Sequence, residues 1–84
     1  MKQINSFAKI IETKDYQVLV TKEEDEDEQD VPYQIAITTH IDFVRCAVKM
    51  GFKGVRKRDN AFKEFDQGHA ESHLQAMIKM IKGN

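Results

Sequence analysis

Apolar and polar residues alternate in two stretches of the chain, which is the pattern of a β-strand with one buried face. The first stretch, residues 16–21, is rich in β-branched and aromatic residues and places Tyr16, Val18 and Val20 on one side. The second stretch, residues 33–42, has the clearest alternation in the chain. Its apolar side carries Tyr33, Ile35, Ile37, Thr39 and Ile41. We therefore predict two strands, separated by the polar residues 23–30.

Residues 43–52 fit two different structures. As a helix, this stretch has a capping box formed by Thr39 and Asp42 and a stop at Gly51. As a strand, it places five residues on one face: Val44, Cys46, Val48, Met50 and Phe52. The β-branched content favours the strand. A third strand is also useful because a two-stranded hairpin is only marginally stable in water.

Helical periodicity marks both ends of the chain. Near the N-terminus, apolar residues recur at helical spacing and predict a short helix over residues 4–13: Ile4, Phe7, Ala8 and Ile11. Near the C-terminus, a short helix is predicted around residues 57–65. A longer helix follows, with Asp66 as its N-cap and Gly83 at its end. Its apolar stripe comprises Ala70, Leu74, Met77, Ile78 and Ile81.

These elements predict a two-layer α+β fold in which helices pack on one face of a three-stranded antiparallel sheet, in the order α-β-β-β-α-α. A chain of 84 residues is too short for two cores. We therefore expect residues 1–84 to form a single domain. The sheet face that no helix covers is expected to carry Leu19, Ala36, Phe43 and Ala47.

The single cysteine limits both covalent and metal chemistry. Neither an intrachain disulfide nor a four-cysteine zinc site can form. Cys46 lies on the apolar side of the third predicted strand and is expected to pack in the core. No uninterrupted apolar run exceeds three residues, far fewer than a membrane-spanning helix requires. We therefore expect a soluble cytoplasmic protein with no membrane partner.

Motifs for catalysis are weak. His69 and His73 lie one helical turn apart, but Ala70 stands where the zinc-protease motif has a glutamate. A metal site would also need at least a third protein ligand. Gly51 and Gly54 are wrongly spaced for a phosphate-binding loop, and no Gly-x-Ser-x-Gly motif is present. We therefore predict a protein that is not an enzyme and has no metal or cofactor.

The net charge of −1 is an average over two oppositely charged segments. Residues 23–30 hold seven carboxylates in eight positions and predict a flexible, solvated loop over residues 23–31. These acidic residues are Glu23, Glu24, Asp25, Glu26, Asp27, Glu28 and Asp30. Residues 45–63 have a local net charge of +6. Their basic residues are Arg45, Lys49, Lys53, Arg56, Lys57, Arg58 and Lys63.

The predicted order of helix, three strands and helix resembles that of the double-stranded-RNA-binding domain. The basic cluster Arg56, Lys57 and Arg58 at the start of a helix also resembles that family, whose final helix begins with a basic cluster. In that family the basic cluster contacts phosphates, and the loop between the first two strands enters a minor groove with a Gly-Pro-x-His signature. In this chain the corresponding loop is the acidic run 23–30, which nucleic acid would repel. The resemblance therefore implies a shared arrangement of elements and no shared function.

The charge pattern supports two functional hypotheses. The first is a small interaction or inhibitor protein of bacterial or mobile-element type, whose acidic residues imitate nucleic acid and bind a larger protein with a basic surface. The alternative is a nucleic-acid-binding module that uses the basic residues 45–63. In a third arrangement, the acidic loop of one subunit meets the basic helix of another in a homodimer. Both segments also have a simpler interpretation as solvated surface.

Overall fold

The computed structural model describes residues 7–83, in which four strands precede two helices. The strands are β1 (Ala8–Glu12), β2 (Gln17–Glu24), β3 (Tyr33–Ile41) and β4 (Val44–Phe52). The helices are α1 (Val55–Glu64) and α2 (Gln67–Lys82). The predicted α+β class is confirmed. The predicted three-stranded sheet is wrong, because the sheet has four strands and the order is β-β-β-β-α-α.

The sheet is an antiparallel meander in the order β1-β2-β3-β4. The strand predicted over residues 33–42 is confirmed as β3, although residues 35–39 are buried on both faces, and the strand interpretation of residues 43–52 is confirmed as β4. One face of the sheet is covered by α1 and α2. The residues buried most completely on this face are Val18, Val20, Ile35, Ile37 and Ile41. These β-branched side chains form the centre of the core.

Residues 8–12 correct the prediction for the N-terminal segment. They form the edge strand β1, in which Ile11 pairs with Val18 of β2, so the helix predicted over residues 4–13 is wrong where the chain is described. Residues 4–6 lie outside the described residues. Ile10 and Ile11 point to opposite faces of the sheet, and pairing with β2 outweighs the local helical spacing. With a strand at this position, the element order no longer matches that of the double-stranded-RNA-binding domain.

The two helices complete the core. Their buried apolar residues are Phe62 of α1, Phe65 of the connection, and Ala70, Leu74 and Met77 of α2. The predicted caps of α2 are both confirmed. The Asp66 carboxylate accepts a hydrogen bond from the His69 N–H at 3.1 Å, and Gly83 ends the helix with a left-handed φ of 78°. Of the predicted apolar stripe of α2, Ala70, Leu74 and Met77 are buried and Ile78 is half-buried against the core, whereas Ile81 at the end of the stripe is 40% exposed.

A two-residue turn joins β3 to β4. Asp42 and Phe43 both have left-handed backbones, with φ of 51° and 69°, and Ile41 pairs with Val44 on either side of them. This geometry matches the right-handed twist of the strands, but it costs about 1 kcal/mol for a residue that carries a Cβ. The Phe43 side chain is fully exposed. It projects from the turn rather than from the sheet face where we expected it.

The face of the sheet away from the helices, called the open face below, is covered by no helix in the described part of the chain. It carries Ile10 of β1, Leu19 and Glu23 of β2, Ala36 and Thr38 of β3, and Ala47 and Lys49 of β4. Ile10 is 60% exposed, whereas Ala36, which lies between Thr21 of β2 and Lys49 of β4, is only 4% exposed. Ile10 and Leu19 therefore supply the exposed apolar surface on this face, and Ala36 does not.

Candidate functional site

The seven predicted acidic residues divide between a strand and a loop. Glu23 and Glu24 belong to β2, where they pair with Gln34 and Tyr33. The predicted start of the loop at residue 23 is therefore wrong. The segment that connects β2 to β3, called the acidic loop below, comprises residues 25–32. Its five carboxylates are those of Asp25, Glu26, Asp27, Glu28 and Asp30.

Hydrogen bonds shape the base of the acidic loop. The Asp25 N–H donates to the Pro32 carbonyl at 2.8 Å and extends the β2–β3 ladder by one pair. The Asp25 carboxylate accepts from the Asp27 N–H at 3.0 Å, and the Asp25 carbonyl accepts from the Glu28 N–H at 3.1 Å. Asp favours such turns because its short side chain reaches the backbone two residues on. The carboxylates are thus carried by a turn with local hydrogen bonds.

The end of the acidic loop packs against the open face. A Cβ on Gly51 of β4 would lie 2.7 Å from both Cβ and Cγ2 of Val31. No ordinary Cβ contact is this short, so a glycine is required beneath Val31. From the sequence alone, Gly51 looked like a turn or a helix stop. It is instead the position where the acidic loop approaches the sheet.

Within the described residues, no ion pair neutralises the carboxylates of the acidic loop. Of the seven predicted acidic residues, only Glu23 forms an ion pair, with Lys49 on the open face at 3.1 Å. The other ion pairs of residues 7–83 are Lys22–Asp59, Arg58–Asp59, His69–Asp66 and Lys82–Asp42. Five like charges therefore share one exposed loop, and none of them has a counterion among residues 7–83.

The seven predicted basic residues do not form one surface. Arg45 and Lys49 lie on the open face of β4. Lys53 lies in the connection to α1, and the exposed residues of α1 itself include Arg56, Lys57 and Lys63. The helix layer and the open face are on opposite sides of the sheet. The structure therefore brings Lys53, Arg56 and Lys57 together at one end of the sheet and separates them from Arg45.

Arg58, the seventh basic residue, points into the fold and is 8% exposed. Its Nη1 donates to the Glu23 carbonyl at 2.9 Å, and its Nε donates to the Asp59 carboxylate at 3.1 Å. The guanidinium carbon lies 5.4 Å from the centre of the Tyr33 ring. Arg58 thus fastens α1 to the end of β2, next to the acidic loop. Its donors are occupied within the chain rather than offered to a phosphate.

Two lysines of the sheet also lie beneath α1. Lys9 and Lys22 approach the Phe62 ring at 4.7 and 5.0 Å, and Lys22 forms an ion pair with Asp59 at 3.3 Å. Desolvation lowers the pKa of Lys9, although the negative charge of Asp66 opposes the shift. For Asp59, desolvation raises the pKa, but hydrogen bonds from Arg58 and Lys22 outweigh it and leave a lowered value. These charges hold α1 on the sheet.

The two histidines singled out in the sequence are bonded to their own helix. Nδ1 of His69 lies 2.8 Å from the Asp66 carboxylate, and Nδ1 of His73 lies 3.0 Å from the His69 carbonyl. Both rings pack at 5.5 Å from the Phe65 ring. The His69 backbone N–H, and then its side chain, lower the pKa of Asp66 through hydrogen bonds. Residues 7–83 contain no group of three or more His, Cys, Asp or Glu placed to hold a metal ion.

A groove of about 430 Å³ lies on the open face, at the end of the sheet away from the acidic loop. Its lining includes Ile10, Tyr16, Leu19, Thr38 and His40. The sequence did not point to Ile10 as an exposed residue, because the helical spacing assigned its segment to a different element. The adjacent β-branched pair formed by Ile10 and Ile11 was the available signal for a strand.

Comparison of the chain with protein-family models, with curated proteins and with solved structures returns no match. Among residues 7–83, neither helix combines the length and the apolar character needed to cross a membrane. The acidic loop thus presents five carboxylates without an ion pair in residues 7–83 and packs on the open face through Val31.

Proposed function

We propose that the protein is a non-enzymatic docking module whose acidic loop binds the basic surface of a larger protein, in the place that nucleic acid would otherwise occupy. The observation that carries this proposal is the set of five loop carboxylates with no ion pair inside the described residues. Removing a carboxylate from water at an interface is costly unless an opposite charge pairs with it. A basic groove on a partner supplies it.

The charge density of the acidic loop supports the comparison with nucleic acid. Six residues, 25–30, span at most about 20 Å when fully extended. Five carboxylates over this length give at least one negative charge per ~4 Å. One strand of DNA carries one phosphate per about 3.4 Å of helix axis. A surface that binds a phosphate backbone would therefore meet a comparable number of charges on this loop.

The open face gives the proposed interface a second component. Val31 rests over Gly51 on this face, and the Glu23–Lys49 pair lies beside it. A partner bound to the acidic loop would therefore reach the exposed side chains of β4, which include Ala47. Of the apolar contacts expected from the sequence, Leu19 and Ala47 remain available. Ala36 is too deeply buried, and Phe43 lies at the other end of β4.

The alternative function, direct binding of nucleic acid, is favoured by one observation. Lys53, Arg56 and Lys57 are exposed and form no ion pair among the described residues. They are only three close cations, however, because Arg58 is buried, Lys49 is paired, Arg45 is remote, and Lys63 lies in the last turn of α1. They also lie at the same end of the sheet as the acidic loop, whose charge opposes the approach of phosphates. Docking to a protein is therefore the better-supported proposal.

A differential capture experiment tests the proposal. Three immobilised forms are compared in lysate of the organism that encodes the protein, once with and once without nuclease treatment: the wild type, a loop variant and a control variant. The loop variant replaces the five carboxylates by amides: Asp25→Asn, Glu26→Gln, Asp27→Asn, Glu28→Gln and Asp30→Asn. The control variant makes the same change at five exposed acids elsewhere: Glu12, Asp15, Asp42, Glu64 and Glu71. Each variant loses five negative charges, so total charge is matched.

The proposal predicts a protein that the wild type and the control variant retain at low salt and the loop variant does not. Retention should fall as salt is raised, because the attraction is between exposed charges. The same set of proteins on the wild type and the loop variant would contradict the proposal. Retention that depends on omitting the nuclease would support the nucleic-acid alternative instead.

A further inference from the structure

The outer edge of the sheet, along β4, has no strand partner within residues 7–83. None of the nine residues of β4 is fully buried. Successive residues of an antiparallel strand form backbone hydrogen bonds alternately with its two neighbours. The Lys22 N–H donates to the Phe7 carbonyl, so even-numbered residues of β2 bond toward β1 and odd-numbered ones bond to β3. By the strand registers, odd-numbered residues of β3 then bond to β4. Even-numbered residues of β4 therefore bond to β3. The backbone groups of Arg45, Ala47, Lys49 and Gly51 point to the free edge.

Exposed apolar side chains gather beside this edge. Of the large hydrophobic residues that remain exposed, four lie in the β3–β4 turn, at the start of β4 and at the end of α2: Phe43, Val44, Met80 and Ile81. A groove of about 250 Å³ separates the two elements and is lined by Cys46, Val48 and Met77 together with Met80 and Ile81. The Lys82–Asp42 ion pair at 3.6 Å holds this end of α2 beside the β3–β4 turn. The apolar surface is thus continuous with the free edge.

The opposite edge of the sheet is less suited to pairing. β1 has only five residues, and Lys9 points from it into the helix layer, where its ammonium group donates to the Phe62 carbonyl. Short edge strands with inward-pointing charges resist addition of another strand. β4 has nine residues, no proline and no inward-pointing charge. The two edges therefore differ, and β4 is the one open to a partner strand.

We propose that a second copy of this chain pairs antiparallel along β4, about a twofold axis at Val48, to form a continuous eight-stranded sheet. The occupant is a second copy because β4 is complementary to itself in this register. On the helix side, Cys46 lies opposite the partner's Met50 and Val44 lies opposite the partner's Phe52. On the open face, Ala47 lies opposite the partner's Lys49. Apolar residues then meet apolar residues, and no two cations face each other.

Neighbouring registers lack this complementarity. A twofold axis at residue 49 would set Lys49 against the partner's Lys49. An axis at residue 47 would set Arg45 against the partner's Lys49. Like charges directly opposite each other destabilise a strand pair. A shift of the pairing between the two strands by one residue would turn the partner's apolar side chains to the open face. Axes at residues 46 and 50 also keep the cations apart but pair only five residues of each β4, whereas the axis at Val48 pairs all nine.

Two further contacts follow from the same register. The partner's Met50, adjacent to Cys46, would enter the groove between β4 and α2. Arg45 would lie opposite the partner's Gly51, over which the partner's acidic loop is packed. Arg45 has no ion pair within the described residues, so the loop would supply its counterion. The free edge, the apolar groove and an unpaired cation thus all fit one partner.

Cysteine cross-linking tests the register. In a Cys46→Ala background, Val48→Cys puts two thiols on the twofold axis, where strand pairing brings Cα atoms within about 4.5–5.5 Å, as a disulfide requires. Val44→Cys is the matched control, because the two residue-44 positions would be separated by about 27 Å of strand. Val44 is also 45% exposed, so random collisions would cross-link it readily. We expect a covalent dimer under mild oxidation from Val48→Cys alone. Equal cross-linking of both variants would overturn the proposal.

Sedimentation equilibrium gives an independent readout that needs no cysteine. Ala47→Lys would face the partner's Lys49 twice in each dimer and should raise the dissociation constant about two- to thirtyfold. Ala47→Glu would form two attractive pairs and should lower it. Ala47 is exposed in the monomer, so neither change disturbs the core. A monomeric wild type at every accessible concentration, or equal dissociation constants for both variants, would overturn the proposal. These outcomes do not depend on the acidic-loop partner.

Discussion

Replacing Arg58 tests directly whether a basic residue of this chain stabilises the fold rather than binding a partner. The sequence places this residue in a basic run that looks suited to phosphate, whereas the structure buries it between α1 and β2. We predict that Arg58→Ala destabilises the protein strongly. Arg56→Ala, two residues earlier on the exposed side of α1, should have almost no effect.

The magnitude follows from the contacts of Arg58. A hydrogen bond from a charged donor, such as the one to the Glu23 carbonyl, contributes about 1.5–3 kcal/mol. The position of the guanidinium over the Tyr33 ring contributes about 0.5–1 kcal/mol. The expected loss is therefore about 2–4 kcal/mol, a large part of the stability of a domain this size. Arg56→Ala should stay within about 0.5 kcal/mol of the wild type.

Urea unfolding followed by far-ultraviolet circular dichroism measures this difference. With a slope of about 1–1.5 kcal/mol/M for a small domain, the midpoint of Arg58→Ala should fall by about 1.3–4 M. Arg58→Lys should lie between Arg58→Ala and the wild type, because a lysine keeps the charge but cannot make the forked contacts. Equal midpoints for Arg58→Ala and Arg56→Ala would refute this account of the buried guanidinium.

Three further variants test other features of the fold. Gly51→Ala should cost about 1–3 kcal/mol by crowding Val31, and Val31→Gly should recover part of that loss; an unchanged urea midpoint in Gly51→Ala would contradict the contact. Phe43→Gly should raise the stability of the monomer by about 1 kcal/mol, because glycine accepts the left-handed backbone without strain; a loss of stability would show that the turn does not have this geometry. The folded-state pKa of Asp66 lies below its ordinary 3.8, so its stabilising contribution is present above about pH 4 and is lost as the pH falls through the folded value. Asp66→Asn should therefore show a shallower acid unfolding curve than the wild type, and parallel curves would contradict the capping role.

The spacing of apolar residues along the chain predicted most of the secondary structure. The alternation of β3 and the stripe of α2 are long enough that each fits one element, and the polar caps at Asp66 and Gly83 mark the ends of α2. The β-branched content of β4 selected a strand over a helix correctly. Long periodic segments are predictable because their burial pattern leaves only one way to pack.

The N-terminal segment shows where local pattern fails. Its apolar spacing fits two turns of a helix, but β2 offers a row of backbone groups that only a strand can satisfy. That requirement arises from the fold rather than from residues 8–12 themselves. The turn at Phe43 could not be predicted from the local sequence either. Such turns are recognised by Asn-Gly or Asp-Gly, and here a phenylalanine has the left-handed backbone.

The charged segments show what composition can and cannot locate. The acidic run is visible in the sequence, but its first two residues are in a strand, and Glu23 forms an ion pair with Lys49. The basic run also divides, because alternate residues of β4 and successive turns of α1 project in different directions. Arg58 is buried because it falls on the same face of α1 as Phe62. Sequence order therefore identified the charges but not which of them share a surface.

The most direct test of the proposed docking role is an NMR titration of isotopically labelled protein with the partner retained in the capture experiment. The proposal predicts that the amide signals of residues 25–31 and of the adjacent Glu23 and Lys49 shift first and most, and that the shifts weaken as salt is raised. The loop variant should show no such shifts at the same concentrations. Shifts confined to Lys53, Arg56 and Lys57, with the acidic loop unchanged, would contradict the proposal.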